Sequence, residues 1–309
     1  MKNLCNGNGP LVSIIIPNYN HAPYLDERIQ SILNQTYGNY EVIILDDHST
    51  DNSAEVINQY KGLPQISSIV FNDINSGSPF CQWKKGLTFC KGDIVWIAES
   101  DDSCDKSFLQ ELVDFYLQND LCMAFCRSRK MDEVGNRGDV LQKGITDNQV
   151  LDGKWYIEHC LSDITNASSA IFSKQLALAV DNNYWGFKGA GDWLFWAGIA
   201  SKGKVGIQAS PLNYYRVHGD NTTSTLFRNG TDFLELKKIY TYFYQHGLWP
   251  FRKYFREKVR MLYSIKYDFD FFEEHVREKL LGEWNYKSYS WLIYMVRAFL
   301  LLKKSYIQK

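Results

Sequence analysis

An α/β fold built on a mostly parallel, Rossmann-like sheet flanked by helices is predicted by three observations. Apolar, β-branched runs alternate with segments of helical spacing through the first hundred residues, the pattern of strand-helix-strand units. Each run ends in a polar cluster. One cluster holds three carboxylates within four residues, Glu99, Asp101 and Asp102.

The elements follow in order. Residues 11–16 are uncharged and β-branched, read as a buried strand, and run into Pro17, Asn18, Tyr19 and Asn20. Leu25, Ile29, Ile32 and Leu33 then recur at helical spacing within 24–33. A second strand over 41–45 runs into Asp46, Asp47, His48, Ser49, Thr50 and Asp51. Ser49, Thr50 and Asp51 are each suited to cap a helix over 53–60. A strand over 67–71, a helix over 79–89 and a strand over 94–98 complete the alternation. Ligands of open parallel sheets bind outside the carboxyl ends of the strands. The clusters at 17–20, 46–51 and 99–102 all fall at such ends.

The third cluster points to a chemistry. A strand that buries its body and ends in carboxylates offers hard oxygen ligands, which suit Mg²⁺ or Mn²⁺ and the diphosphates those ions accompany. Taken alone, the same residues also fit a solvated acidic turn.

Together and in this order, the motifs resemble the family-two glycosyltransferases of the GT-A fold. The resemblance is carried by VSIIIPNYN at 12–20, QSILNQTY at 30–37, LDDHSTD at 45–51, GDIVWIAESDD at 92–102 and Gly191-Asp192-Trp193. It covers roughly residues 10–220. It implies inverting transfer from a nucleotide-diphosphate sugar, with UDP first among the carriers, to a saccharide hydroxyl in surface polysaccharide or glycan biosynthesis. The implied cofactor is Mn²⁺ or Mg²⁺.

The resemblance also assigns roles. Pro17 and Tyr19 would line the base, and Asp47 would accept from the base or ribose. Asp46 would share that contact or cap the approach to the helix. Asp101 leads as metal ligand, with Asp102 next. Glu99 stands where the family pattern has Asp, and its extra methylene leaves it to face metal, ribose or bound water. Asp192 would be the base that deprotonates the acceptor; the family often has Glu-Asp there, and Gly191 takes the first position. The alternative for Asp192 is a cap on the helix that follows. A Tyr-Arg-x-His-x-x-Asn stretch at 215–221 would bring Arg216 to the donor phosphates and His218 to metal or phosphate. Asn20 and Asp51 read as turn and capping residues, and Asp163 as an acceptor contact.

Two other classes remain to be weighed. A sugar-phosphate nucleotidyltransferase needs a Gly-rich, basic loop after the first strand to hold a triphosphate, and Pro17–Asn20 is not one. A non-catalytic sugar-nucleotide binder of the same fold is favoured only by Gly191 and Glu99.

Composition bounds the remainder. The 309 residues are 45% hydrophobic and 22% charged, as in soluble globular chains. A net charge of −1 provides no field for nucleic acid. The expected division is a catalytic domain over 1–228 and a helical, basic and aromatic region over 229–309. Residues 252–309 hold 13 Lys+Arg against 7 Asp+Glu. Residues 290–304 are apolar, but too short and too interrupted by Arg297 to span a bilayer. They read as an interfacial helix with Lys303 and Lys304 at its edge, or as a helix packed on the protein. The first reading implies the anionic inner leaflet and a lipid-linked acceptor. Seven cysteines without Cys-x-x-Cys and a polar first decapeptide fit a reduced, cytoplasmic chain without a leader, peripheral on the membrane if the tail docks there.

Overall fold

The computed structural model describes residues 9–219, 226–269 and 272–307. It divides into two compact units, one ending at Gly219 and one beginning at Asp220.

The first unit is organised by strands whose two faces are both buried. β1 (Val12–Asn18) is buried throughout, as is nearly all of β2 (Tyr40–Asp46). That explains their unbroken apolar runs. α1 (Ala22–Leu33) connects them and buries Leu25, Arg28, Ile29 and Ile32 on one face. α2 (Ser53–Gln59) leads to β3 (Ile66–Phe71), and α3 (Pro79–Leu87) to β4 (Ile94–Ile97). These four strands lie parallel in the order β3-β2-β1-β4. Their carboxyl ends share one edge.

Beyond β4 the sheet becomes mixed. After β5 (Ser103–Cys104) and α4 (Phe108–Gln118) come β6 (Leu121–Met131), β7 (Arg137–Val140), β8 (Gln149–Asp152) and α5 (Gly153–His159). β9 (Ala170–Ser173), α6 (Lys174–Leu178), α7 (Gly191–Ala200) and β10 (Lys204–Arg216) complete the unit. β9 inserts antiparallel between β4 and β6, and β10 runs parallel to β6. This order lays the segment before β9 and the end of β10 beside the loop after β4.

A polar clamp ties β1, β2 and β4 at the opposite edge. Ser13 Oγ donates to Glu41 Oε1 at 2.8 Å and accepts from Gly92 N at 2.8 Å. Glu41 Oε1 also accepts from Lys91 N at 2.6 Å. Gly92 has no room for a side chain, since a Cβ there would sit 2.3 Å from the Leu11 carbonyl oxygen.

In the second unit, α8 (Thr231–Gln245), α9 (Phe251–Tyr267), α10 (Glu274–Glu283) and α11 (Tyr286–Ile307) pack around Phe233, Phe243, Leu262, Ile265 and Trp284. Trp284 Nε1 donates to the Phe233 carbonyl at 3.2 Å. α11 buries Ile293 and exposes Trp291, Tyr294 and Met295, so packing and an exposed apolar face occur on one helix. The side chains of Lys303 and Lys304 lie outside the described residues. Among the described residues, no helix is long and apolar enough to cross a membrane.

The Glu41 clamp yields a pH-dependent prediction. Burial raises the pKa of Glu41, but the donors from Lys91 and Ser13 outweigh it and hold the carboxyl below its ordinary value of 4.5. A depressed folded-state pKa gives stability that is present above the unfolded value and is lost as pH falls through the folded one. Glu41→Gln should therefore cost about 1 kcal/mol at pH 7. Urea unfolding should show that difference shrinking once the pH drops below 4.5.

Candidate active site

The loop after β4 places Glu99, Asp101 and Asp102 beside one another in a poorly solvated setting, and the surrounding elements divide their roles. Two buried arginines hold its backbone. Arg28, on the apolar face of α1, donates from Nε to the Glu99 carbonyl at 2.8 Å and lies over the Trp96 ring at 5.5 Å. Its Nη2 is 3.9 Å from Asp102, an ion pair longer than a hydrogen bond. Arg216, at the end of β10, donates from Nε to the Asp101 carbonyl at 2.7 Å. Ser168 Oγ accepts from Glu99 N at 3.0 Å.

The three carboxylates then point to different partners. Glu99 Oε1 accepts from Trp83 Nε1 at 3.0 Å. Asp102 accepts from Arg216 N at 2.9 Å and from the Asn166 amide. Asp101 Oδ2 meets His218 Nε2 at 3.1 Å. Burial, then the charges of Asp101 and Asp102, push Glu99 up to about 8. Burial and Asp101 likewise raise Asp102. Burial also works against charge on Asp101, but the His218 hydrogen bond and the nearby His21 hold its pKa below the ordinary range. Charge therefore concentrates on Asp101.

His21 joins this group. It follows Asn20 at the carboxyl end of β1 and bonds Ser100 Oγ through Nδ1 at 2.8 Å. Burial lowers its pKa, with Asp101 opposing. One ligand atom from each of His21, Asp101 and His218 lies within 4.8 Å of the others. Ligands held about 2.1 Å from one ion sit roughly 3–4 Å apart, so small side-chain adjustments would let the three share a divalent cation. Two imidazoles and a carboxylate suit a transition-metal ion.

Several of the expected site residues have partners within the chain. Asp102, expected as the second metal ligand, lies outside this group, and its oxygens accept from Arg216 N and Asn166. Arg216, expected at the donor phosphates, is buried and spends its donors inside the chain. Besides the Asp101 carbonyl it reaches the Asp132 carbonyl at 2.9 Å, the Glu133 carbonyl at 3.1 Å and the Glu27 carboxylate. Asp46 is buried and accepts from Asn18 Nδ2 at 2.8 Å, Ser49 N at 3.0 Å and Ser49 Oγ at 2.6 Å, so it organises its own loop. Asp47 is also buried and accepts from Asn72, Ser76 N, Ser76 Oγ and Gln82. A nucleotide reaches its carboxylate only by displacing some of these donors. Pro17 is buried at the end of β1, whereas Tyr19 is 46% exposed at the mouth of this edge. Asn20, at φ 56°, accepts from Thr50 N at 2.7 Å, and Asp51 accepts from Ala22 N at 2.9 Å. Asp163 is half-buried, and burial raises its pKa.

Asp192 lies in the first turn of α7, whose cap position is Ala190. It is therefore not the capping residue, and its carboxylate accepts from Trp193 N at 2.9 Å. The missing acid before it has a steric cause. A Cβ on Gly191 would sit 2.4 Å from the Tyr184 carbonyl oxygen and 2.8 Å from the Phe80 ring. Trp83, the donor to Glu99, packs edge-on against Phe195 at 5.5 Å and tilted against Trp196 at 5.9 Å. The helix carrying Asp192 is thus coupled through two aromatic contacts to the acid loop.

The mixed α/β sheet with its flanking helices is the GT-A fold, shared with the solved structures named below. Residues 13–163 match the profile of "Glycosyl transferase family 2", and this segment carries that family's domain. An uncharacterized glycosyltransferase of Haemophilus influenzae is 40% identical over 42% of this chain and 52% of its own length. The putative teichuronic acid biosynthesis glycosyltransferase TuaG of Bacillus subtilis is 32% identical over 41% of this chain and 50% of its own. The chain thus spans about half the length of these curated relatives. Among solved structures, S. aureus TarS 1–349 in complex with UDP-GlcNAc is similar at TM-score 0.60 and 20% identity, covering 90% of this chain and 72% of TarS. Mannosyltransferase PcManGT from Pyrobaculum calidifontis, in complex with GDP-Man and Mn²⁺, is similar at TM-score 0.55 and 19% identity, covering 76% and 64%.

The reassignment of Arg216 is testable. Arg216→Lys should lower stability by about 3 kcal/mol or more in urea unfolding with EDTA and no nucleotide, because a buried network is broken. A phosphate-pairing arginine would leave that stability unchanged and raise only the KM for donor.

Proposed function

We propose that this chain is a divalent-metal-dependent, inverting glycosyltransferase that moves a sugar from a UDP-sugar to a hydroxyl of a lipid-linked saccharide during surface-glycan assembly. The observation that carries the reading is the division of acids at one sheet edge. Asp101 is grouped with His218, while Asp192 stands apart on a helix tied to the same loop. Support for the carrier and process comes from the relatives, one named for teichuronic acid biosynthesis and one fold neighbour holding UDP-GlcNAc. The proposed catalytic part is residues 1–228, and the helical part 229–309 offers the surface on which a lipid-linked acceptor is met. Exposed Trp291, Tyr294 and Met295 and the basic excess of 252–309 favour an anionic inner leaflet.

The chemistry asks little of each residue. Tyr19 offers an exposed ring to the base beside Pro17, and the Asp46–Asp47 loop forms the floor beneath the ribose. Asp101 and His218 would hold the cation. When bound, that ion neutralises the charge developing on the leaving diphosphate. Asp192 takes the acceptor proton as the hydroxyl oxygen attacks the anomeric carbon from the face opposite the nucleotide. The new C–O bond forms as the bond to the diphosphate breaks, so the anomeric configuration inverts. Glu99 keeps Trp83 in place and so keeps α7 aligned with the loop.

Release of UDP from UDP-sugars in the presence of candidate acceptors, followed with Mn²⁺ and with EDTA, tests the proposal. EDTA should abolish release. Asp192→Asn should lower kcat by about 10²–10⁴-fold while UDP still raises the melting temperature. Full turnover in Asp192→Asn would remove the base from this residue, and full turnover in EDTA would remove the metal from the mechanism.

A further inference from the structure

We infer that His21 is a third protein ligand of the divalent-cation site, completing a two-histidine, one-carboxylate set that selects Mn²⁺ over Mg²⁺. The inference rests on the metal-dependent reading above and extends it to a residue and an ion preference.

Three observations carry it. First, His21 reaches the same space as Asp101 and His218, with the three ligand atoms inside 4.8 Å. Its ring and that of His218 meet edge-on at 5.5 Å between centroids, and Tyr24 packs against both. Second, Nδ1 of the ring has a fixed hydrogen-bond partner. Ser100 Oγ, in a residue only 1% exposed, bonds Nδ1 at 2.8 Å. A proton on Nδ1, donated to Ser100, leaves the Nε2 lone pair to a cation, and such outer partners set the tautomer of ligating histidines. Third, the backbone that carries His21 is pinned. The His21 carbonyl accepts from Tyr24 N and Leu25 N. Asn20 N donates to Ser49 Oγ at 2.9 Å, Asn20 Oδ1 accepts from Thr50 N, and Ala22 N donates to Asp51. The residues on either side are thus bound to the loop after β2, so little ordering remains to be done when an ion arrives.

The ligand chemistry sets the preference. Mg²⁺ favours oxygen ligands and retains water, whereas first-row transition ions accept imidazole nitrogen, Mn²⁺ the most weakly among them. A site with two imidazoles therefore discriminates against Mg²⁺ more strongly than one built from carboxylates.

Binding of MnCl₂ and of MgCl₂ to the full chain tests this, with free Mn²⁺ read by electron paramagnetic resonance and Mg²⁺ by calorimetry, each with and without UDP. His21→Ala should weaken Mn²⁺ binding about tenfold or more and change Mg²⁺ binding much less. His21→Asp, which restores an oxygen ligand, should narrow the Mn²⁺-to-Mg²⁺ ratio and remain decisive if the alanine variant fails to fold. Unchanged Mn²⁺ affinity in His21→Ala, or an unchanged ion ratio in His21→Asp, would overturn the role of His21 and leave the metal reading intact. Absence of Mn²⁺ binding by the unaltered chain under both conditions would instead overturn the metal reading itself.

Discussion

The crowding of three carboxylates in one short loop, Asp102 buried and Glu99 and Asp101 partly so, is the constraint around which the first unit is arranged. At an effective dielectric constant near 20, two like charges 5 Å apart repel by about 3 kcal/mol. Three ionised acids in four residues would therefore oppose folding unless they were separated and compensated. Arg28 and Arg216, both buried, hold the Glu99 and Asp101 carbonyls. Asp102 is drawn inward to Arg216 N, Asn166 and Arg28, and Glu99 toward Trp83. Asp101 alone is directed to the histidines. Removing one partner of a buried charge typically costs 3–5 kcal/mol, so these contacts act as conditions for the loop's shape.

The same constraint explains features that look like departures from a family pattern. Glu99 is one methylene longer than the Asp it replaces, and that length lets it meet the indole of Trp83. The indole in turn touches Phe195 and Trp196 on the helix that presents Asp192. Gly191 is present because the Tyr184 carbonyl and the Phe80 ring fill the space a side chain would need. Both follow from close packing of the aromatic layer between the acid loop and the helix that carries Asp192.

Strands β1, β2 and β4 were legible in the sequence because burial on both faces leaves an unbroken apolar signature. β6 was not, and β10 only as a strand leading to Tyr214, since each carries polar residues inward. Asn213 and Ser128, for example, bond one another in the core. β10 also shifts register between Gln208 and Asn213, which breaks any period. The antiparallel insertion of β9 depends on long-range pairing of four residues and leaves no local mark. At the site, the acid cluster and Asp192 could be singled out from spacing and resemblance. The pairing of Asp101 with His218 spans 117 positions and needs the fold. Arg28 did leave a signal, as a charge at a stripe position among Leu25, Ile29 and Ile32. His21 also left one, as a histidine directly after the first polar cluster. Neither could be interpreted until its partner was known, because a buried arginine and a loop histidine each have ordinary structural uses.

The central claim is that the acid loop turns one carboxylate toward the cation and two inward. Anomalous diffraction at the manganese edge, from crystals grown with Mn²⁺ and UDP, tests it most directly. The account predicts a single peak at about 2.1–2.2 Å from an Asp101 oxygen, with Asp102 still bonded to Arg216 N and Asn166. A peak coordinated by Asp102 or Glu99, with Asp101 turned away, would contradict it.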